Sequence, residues 1–183
     1  GLGNRYGRVM QVISGIHYNY SFSDDFWSSY LKFKKSKLSL KDFKSEQYFI
    51  ISRNLLRNDW MIAYLFGCSP AVCKSYLSGK LTTLESFDQY TYYEKYATSL
   101  RMGDIGYQNN IEEDMGVHID YNSLEKYTSS LDNAIKEPSR EYNKIGVYSD
   151  GYYKQINENI LQIENEYYST VRPKPNPAIK SRP

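Results

Sequence analysis

The feature that most constrains the fold is an alternation of polar and apolar side chains in residues 9–22. Gln11, His17, Asn19 and Ser21 all occupy odd positions, whereas the even positions from 16 to 22 are apolar or aromatic. Successive side chains of a strand point to opposite faces, so this pattern predicts a strand with one polar and one packed face. Each polar group on a buried face needs a hydrogen-bond partner, and we therefore expect something polar to lie against it.

His17 has two interpretations on this pattern alone. A histidine within an aromatic run is more often a hydrogen-bonded core residue than a ligand. A polar strand face, by contrast, is typical of a binding surface, because its groups are costly to bury without a partner. The segment by itself leaves both interpretations open.

Four segments carry helix signals. A helix is predicted to start after Ser23, because serine followed by two aspartates is a typical N-cap and first turn. The longest candidate, residues 43–66, should end at Gly67. The remaining two are a short helix that starts at residues 69–70 and an amphipathic helix over 123–136.

Two further strands are predicted after a Ser-Asp-Gly turn signal. They cover residues 152–156 and 159–174, and the second places Tyr168 and Arg172 on a polar face. The region that follows residue 80 lacks periodicity up to about residue 110, so we expect mostly irregular structure there.

The fold class that follows is α+β. Antiparallel strands built from the two polar-faced segments would be covered on one side by the helices of residues 24–66 and 123–136. Residues 1–174 form one domain in this prediction, and residues 175–183 form a Pro-rich extended tail.

Composition narrows the classes of function. Lysine and arginine number 23 and aspartate and glutamate 21, so the net charge of +2 argues against a nucleic-acid partner. No apolar run reaches the roughly 18 residues of a membrane span. Cys68 and Cys73 are too few for a disulfide framework, which favours free thiols in a reducing, cytoplasmic compartment. The chain does not begin with Met, which indicates an interior piece of a longer protein.

Several motifs in order along the chain resemble the proteobacterial type of glutamate-cysteine ligase. They are NRYGRVMQVISGIHYNYSF, YLFGCSPAVC, YATSLRMGDIGYQN, EPSREYNKIG and QINENILQIENEYYSTVRPK. Together they span Asn4 to Lys174, so the resemblance covers nearly the whole chain. It implies that residues 1–174 are the central part of the ligase catalytic domain. It also implies a glutamine-synthetase-like antiparallel sheet with helices on one face, incomplete in this fragment.

The resemblance also implies a reaction and a set of site residues. The reaction joins the γ-carboxylate of L-glutamate to L-cysteine through an acyl phosphate made from ATP, the first step of glutathione synthesis, with Mg²⁺ (or Mn²⁺). Residues 17–21 resemble the H-x-H-x-S strand of glutamine synthetases, which implies His17 at the metal or phosphoryl group and Asn19 and Ser21 near the nucleotide. The other implied residues are Arg101 at the acyl phosphate or glutamate, Arg172 and Lys174 at the ATP phosphates, and Gln11, Leu2, Tyr107 and Tyr168 around cysteine.

Without the resemblance, these residues have ordinary interpretations. A lone loop arginine such as Arg101 is usually solvated, most of the 20 tyrosines serve packing, and Arg172 and Lys174 could simply end a strand. Glu164 and Glu166 share the face of Tyr168, but paired carboxylates are common at exposed strand edges, so we do not predict a metal site there.

The resemblance further implies that the site is incomplete in this chain. The principal acidic metal-binding clusters of the family lie before and after the matching region, so we expect the chain alone to be inactive and to need the remaining ligase segments. A related ligase with another amine acceptor, or the ligase half of a bifunctional glutathione-forming protein, is an alternative. A single-stranded nucleic-acid binder that stacks bases on its tyrosines is an alternative of another class, which the charge disfavours.

Overall fold

The computed structural model describes residues 1–8, 17–77, 82–100 and 117–174 of the chain. The described residues up to Phe66 are mainly helical. The helices are α1 (Leu2–Tyr6), α2 (Asp24–Phe33), α3 (Leu40–Arg57) and α4 (Asp59–Phe66). Two predictions for this region, Gln11 and the first half of the polar-faced strand, lie outside the described residues. Residues 17–22, its second half, form no strand.

Short strands and further helices follow. They are β1 (Ala71–Cys73), α5 (Lys74–Leu77), β2 (Glu85–Ser86), β3 (Thr91–Tyr93), α6 (Leu124–Lys136), α7 (Arg140–Asn143), β4 (Tyr148–Ser149) and β5 (Tyr152–Tyr153), with a 3-10 turn at Glu164–Glu166. In the described ranges these strands pair antiparallel, in a three-stranded sheet of order β1-β3-β2 and a β4-β5 hairpin. The α+β class is therefore confirmed.

Serine caps fix where the predicted helices begin. The Ser23 hydroxyl accepts a hydrogen bond from the Phe26 amide (3.2 Å), and Ser123 does the same for the Lys126 amide (3.2 Å). Each cap satisfies one of the amides that the first turn of a helix leaves without a partner. The predicted starts of α2 and α6 are therefore confirmed.

The helix predicted over residues 43–66 is in fact two helices. A Ser39 cap on the Asp42 amide (3.1 Å) starts α3 three residues earlier than expected, and α3 ends before Asn58. The Asn58 side chain donates to the Asn54 carbonyl (2.7 Å), which satisfies a carbonyl of the last turn. Gly67 ends α4 as predicted, with its amide donating to the Ala63 carbonyl (2.8 Å).

The short helix predicted from Ser69 and Pro70 is wrong at its start. Residues 71–73 form β1 and pair with β3, and the Pro70 carbonyl accepts from the Glu94 amide (3.0 Å). Strand pairing overrides the local helix signal, so the helix begins only at Lys74. The region predicted to be irregular accordingly contributes β2 and β3.

The long strand predicted over residues 159–174 is also wrong. The amides of Ile160 and Leu161 donate to the Glu137 and Ala134 carbonyls (2.8 and 2.9 Å), at the end of α6 rather than on a neighbouring strand. A 3-10 turn follows, so the alternation in the sequence does not reflect strand geometry. Of residues 152–156, only the first two lie in a strand.

The main core lies between α3, α6 and the segment around the 3-10 turn. Its buried members are Phe49, Ile119, Tyr121, Tyr127, Leu131, Ala134, Ile160, Leu161 and Tyr167. No helix in the described ranges is long and apolar enough to cross a membrane. Cys68 and Cys73 are exposed free thiols, as predicted.

Candidate active-site surface

The first element of the candidate site is a contact between His17 and Tyr168. The imidazole Nε2 lies 3.0 Å from the phenol oxygen, and the two ring centroids are 6.0 Å apart. His17 is exposed and Tyr168 half-buried, so the imidazole is not part of the core. Two residues 151 positions apart in the sequence are thus within hydrogen-bond distance.

A second contact joins the same two segments. The Lys174 ammonium donates to the side-chain oxygen of Asn19 (3.0 Å). Both residues are exposed, and the partner of the lysine is a neutral amide rather than a carboxylate. The backbone that carries His17, Asn19 and Ser21 is anchored at its end, where the Phe22 amide donates to the Tyr48 hydroxyl (3.0 Å). We call residues 17–21 together with 168–174 the polar surface.

Arg172 lies in this surface but points to the 3-10 turn. Its guanidinium donates to the Glu164 carbonyl (3.1 Å) and to the side-chain oxygen of Asn165 (2.9 Å). It also influences a core tyrosine: burial raises the pKa of Tyr127 to about 12, and the charge of Arg172 opposes that rise. The structure therefore brings Lys174, and not Arg172, into contact with the histidine segment.

A buried ion pair holds the start of the chain against the 3-10 turn. Arg5 and Glu166 pair at 3.3 Å, and their side chains are 0% and 1% exposed. The Glu166 carboxylate also accepts from the Tyr6 hydroxyl (2.9 Å) and from the amide and side chain of Gln162 (2.6 and 3.1 Å). A buried carboxylate needs this many partners to offset its desolvation. Burial, with help from the nearby Glu166 charge, raises the pKa of Tyr6 above its usual range.

The ion pair joins two segments, each of which carries a residue that was predicted around cysteine. Leu2 belongs to α1, which also carries Arg5, and Tyr168 follows Glu166 by two residues. Sequence reasoning placed Glu166 on an exposed edge and did not single out Arg5. The partners are 161 positions apart, so no local pattern could have revealed them.

Three predicted site residues, Gln11, Arg101 and Tyr107, lie outside the described residues. Within the described residues no three histidine, cysteine, aspartate or glutamate side chains are grouped as metal ligands would be. Magnesium prefers carboxylate and other oxygen ligands. The polar surface alone therefore does not fit a magnesium ion.

The comparison of folds assigns this α+β chain to the ligases. The crystal structure of glutamate-cysteine ligase from Francisella tularensis in complex with AMP matches it with a TM-score of 0.82 and 40% identity, over 96% of this chain and 34% of that one. A bifunctional glutathione synthetase from Pasteurella multocida matches less well, with a TM-score of 0.65 and 26% identity, over 93% of this chain and 18% of that one.

The family is equally clear from sequence. The family model described as glutamate-cysteine ligase matches residues 1–183, and the chain belongs to that family. The glutamate-cysteine ligase of Alcanivorax borkumensis is 49% identical over 180 residues, which is 95% of this chain and 34% of that protein. That of Pseudomonas paraeruginosa is 47% identical over 174 residues, or 95% and 33%. The chain thus spans about a third of the length of the curated relatives it matches.

Proposed function

We propose that this chain is part of the catalytic domain of an ATP-dependent ligase that joins the γ-carboxylate of L-glutamate to the amine of L-cysteine. The family match supports the proposal, and the observation that carries it is the pairing of His17 with Tyr168. That contact joins the two segments for which the sequence implied phosphoryl and cysteine binding. The higher identity to the Francisella ligase than to the bifunctional Pasteurella protein favours a ligase with this single activity.

The proposed reaction has two steps. The glutamate γ-carboxylate attacks the terminal phosphorus of ATP, which forms an acyl phosphate and releases ADP. The cysteine amine then attacks the acyl carbon, the C–O bond to phosphate breaks, and the amine loses a proton as the amide forms. Negative charge on the phosphoryl oxygens must be stabilised in the first step, and fixed cationic groups do this without reorganisation of solvent.

Lys174 is the described residue best placed to supply such charge. Its ammonium is exposed and its hydrogen-bond partner Asn19 is neutral, so that bond leaves the positive charge available to a phosphate. Asn19 and Ser21 would lie near the nucleotide, and Arg101 and His17 near the transferring phosphoryl group. The guanidinium of Arg172 donates hydrogen bonds to the 3-10 turn. We therefore propose that its main role is to stabilise that turn and that contact with ATP is secondary.

The proposed cysteine pocket combines Tyr168 with Leu2, Gln11 and Tyr107. A phenol offers both an apolar ring for a thiol and a hydroxyl for a polar group of the substrate. The hydrogen bond to His17 would orient the Tyr168 hydroxyl. The same bond would link the proposed phosphoryl site, which contains His17, to the proposed cysteine pocket.

A metal ion would be held mainly by other parts of the ligase. We propose Mg²⁺ or Mn²⁺ with His17 as one ligand, but the described residues supply no carboxylate cluster beside it, so we assign no step to a metal on this chain. We also propose that the remaining polypeptide completes a glutamine-synthetase-like antiparallel sheet, to which this chain adds short strands.

The test uses two proteins. One is the 183-residue chain, and the other is the Alcanivorax borkumensis ligase with its matched segment replaced by this chain, called the chimera below. ATP-dependent formation of γ-glutamylcysteine should be absent for the chain alone and present for the chimera. Tyr168→Phe in the chimera should lower kcat/KM for cysteine by about tenfold, which corresponds to one lost hydrogen bond.

The control is Tyr153→Phe, because Tyr153 is an exposed tyrosine of the β4-β5 hairpin outside the polar surface. It should leave kcat/KM unchanged. Full turnover by the chain alone would show that the site is complete within it, and an unaffected Tyr168→Phe chimera would remove the tyrosine from the proposed pocket.

A further inference from the structure

After its first residue, Asp59, the helix α4 is apolar around its whole circumference. Its sequence from residue 60 to residue 66 is WMIAYLF, with no charged residue, and none of its eight residues is buried. The most exposed side chains are Trp60 (61%), Tyr64 (69%), Leu65 (60%) and Phe66 (76%). A helix that is apolar on every side is normally buried within a larger structure.

The exposed area is large for one short helix. Aromatic side chains bury about 150–250 Å² each when covered, so the three exposed rings of α4 alone present on the order of 400 Å². The largest apolar patch of a typical monomer is about 300–600 Å² and is often functional. Depletion of charge with enrichment of aromatic residues is also typical of the centre of an interface.

The chain that directly follows α4 is held in place, although the side chains of the helix are exposed. After Gly67, the Ser69 amide donates to the Thr98 carbonyl (3.2 Å) and the Leu100 amide donates to the Ser69 carbonyl (2.9 Å). A Cβ atom at Gly67 would overlap the Ala63 and Thr98 carbonyl oxygens, so only glycine allows this close approach. These contacts fix the C-terminal end of the helix, and a surface that is ordered in advance costs less to dock.

We infer that α4 docks against the polypeptide that makes up the other two-thirds of the glutamate-cysteine ligase fold. This chain overlays on 34% of the Francisella ligase, so most of that polypeptide has no counterpart here and must pack against surfaces that the two share. A membrane does not suit α4, because eight residues span only about 12 Å of a hydrocarbon core that is about 30 Å thick.

The exposed apolar area of α4 also favours the rest of the ligase polypeptide over a second copy of this chain as its partner. A stable dimer buries about 800 Å² on each partner, which exceeds what α4 offers by itself. Packing within one folded polypeptide does not carry the entropy cost of bringing two molecules together, so a smaller apolar face is sufficient. The inference depends on family membership and not on the proposed reaction.

The test compares Phe66→Glu in the isolated chain and in the chimera. We expect the melting temperature of the chimera to fall by about 5 °C or more, because a charge would enter a packed interface. The isolated chain should change by less than about 1 °C, since Phe66 is exposed there. Phe87→Glu is the matched control, because Phe87 is a similarly exposed phenylalanine (71%) in the loop between β2 and β3, and it should change neither protein.

Three results would overturn the inference. The first is a chimera that Phe66→Glu leaves unchanged, and the second is an equal loss in both proteins, which would mean that the residue packs within this chain. The third is an isolated chain that sediments as a dimer and becomes monomeric with Phe66→Glu while the chimera is unaffected. Phe66→Ala gives the same comparison with a smaller shift if the glutamate variant of the chimera is insoluble.

Discussion

The helices α3 and α4 are separated only by Asn58, yet their surroundings are opposite. α3 buries Phe43, Phe49 and Ser52, and Phe49 packs in the main core with Tyr127 of α6. α4 is equally regular and more apolar, but buries nothing. The difference shows that the local sequence decides whether a helix forms, whereas burial depends on the elements available to cover it. Apolar composition alone therefore does not identify the core of this chain.

The largest expected effect concerns the buried Arg5–Glu166 ion pair, which contrasts with the exposed α4. Arg5→Ala would leave the Glu166 carboxylate buried without its charged partner, and loss of one member of such a pair costs about 3–5 kcal/mol. Urea unfolding of the chain measures this loss. Lys136→Ala is the control, because it removes a surface pair with Asp132 and should cost less than about 0.5 kcal/mol. Equal losses for the two variants would contradict the structural role of Arg5.

A somewhat smaller effect is expected from the same substitution, leucine to alanine, made once in the main core and once on α4. Leu161→Ala removes a side chain that is fully buried in the main core and should destabilise the chain by about 2–5 kcal/mol. Leu65→Ala makes the same change on α4, where the leucine is exposed, and should change the free energy of unfolding by less than about 0.5 kcal/mol. Similar values for both leucines in the isolated chain would show that α4 is already covered.

The smallest effect is confined to alkaline pH. Burial raises the pKa of Tyr127 to about 12, against about 10 in an unfolded chain. The folded state holds this proton more tightly, so the associated stability is complete below pH 10 and is lost as the pH rises toward 12. Tyr127→Phe should therefore reduce the fall in melting temperature between pH 10 and 12.

The control for this pH dependence is Tyr64→Phe on α4, whose ring is exposed. It should leave the fall in melting temperature as it is in the unsubstituted chain. If Tyr127→Phe also leaves it unchanged, the burial of Tyr127 does not contribute to alkaline unfolding.

The elements that sequence predicted best are those defined by local chemistry. The starts of α2 and α6 follow from serine caps within three residues of the amides that they satisfy. The hydrogen bond from the Gly67 amide to the Ala63 carbonyl at the end of α4 is similarly local. The strand predicted over residues 159–174 is wrong because the amides of Ile160 and Leu161 bond to carbonyls at the end of α6, and a 3-10 turn follows. Alternation along the sequence carries no information about such distant partners.

In the candidate site, too, some residues could be predicted from the sequence and others could not. Residues 17–21 and 168–174 were singled out by their resemblance to the ligase family, and the structure places them side by side. Their catalytic roles stay predictions. The Arg5–Glu166 pair was missed because burial, and not residue type, distinguishes it from the many surface ion pairs of a charged chain.

The glycine that ends α4 limits which substitutions this chain can accept. Position 67 has no space for even a methyl group between two carbonyl oxygens, so any other residue would push the backbone near Thr98 aside. Such a shift would tilt α4 and misalign its seven apolar residues together. One missing side chain therefore sets the angle of the whole proposed docking surface, and a repair elsewhere would have to restore that angle rather than any single contact.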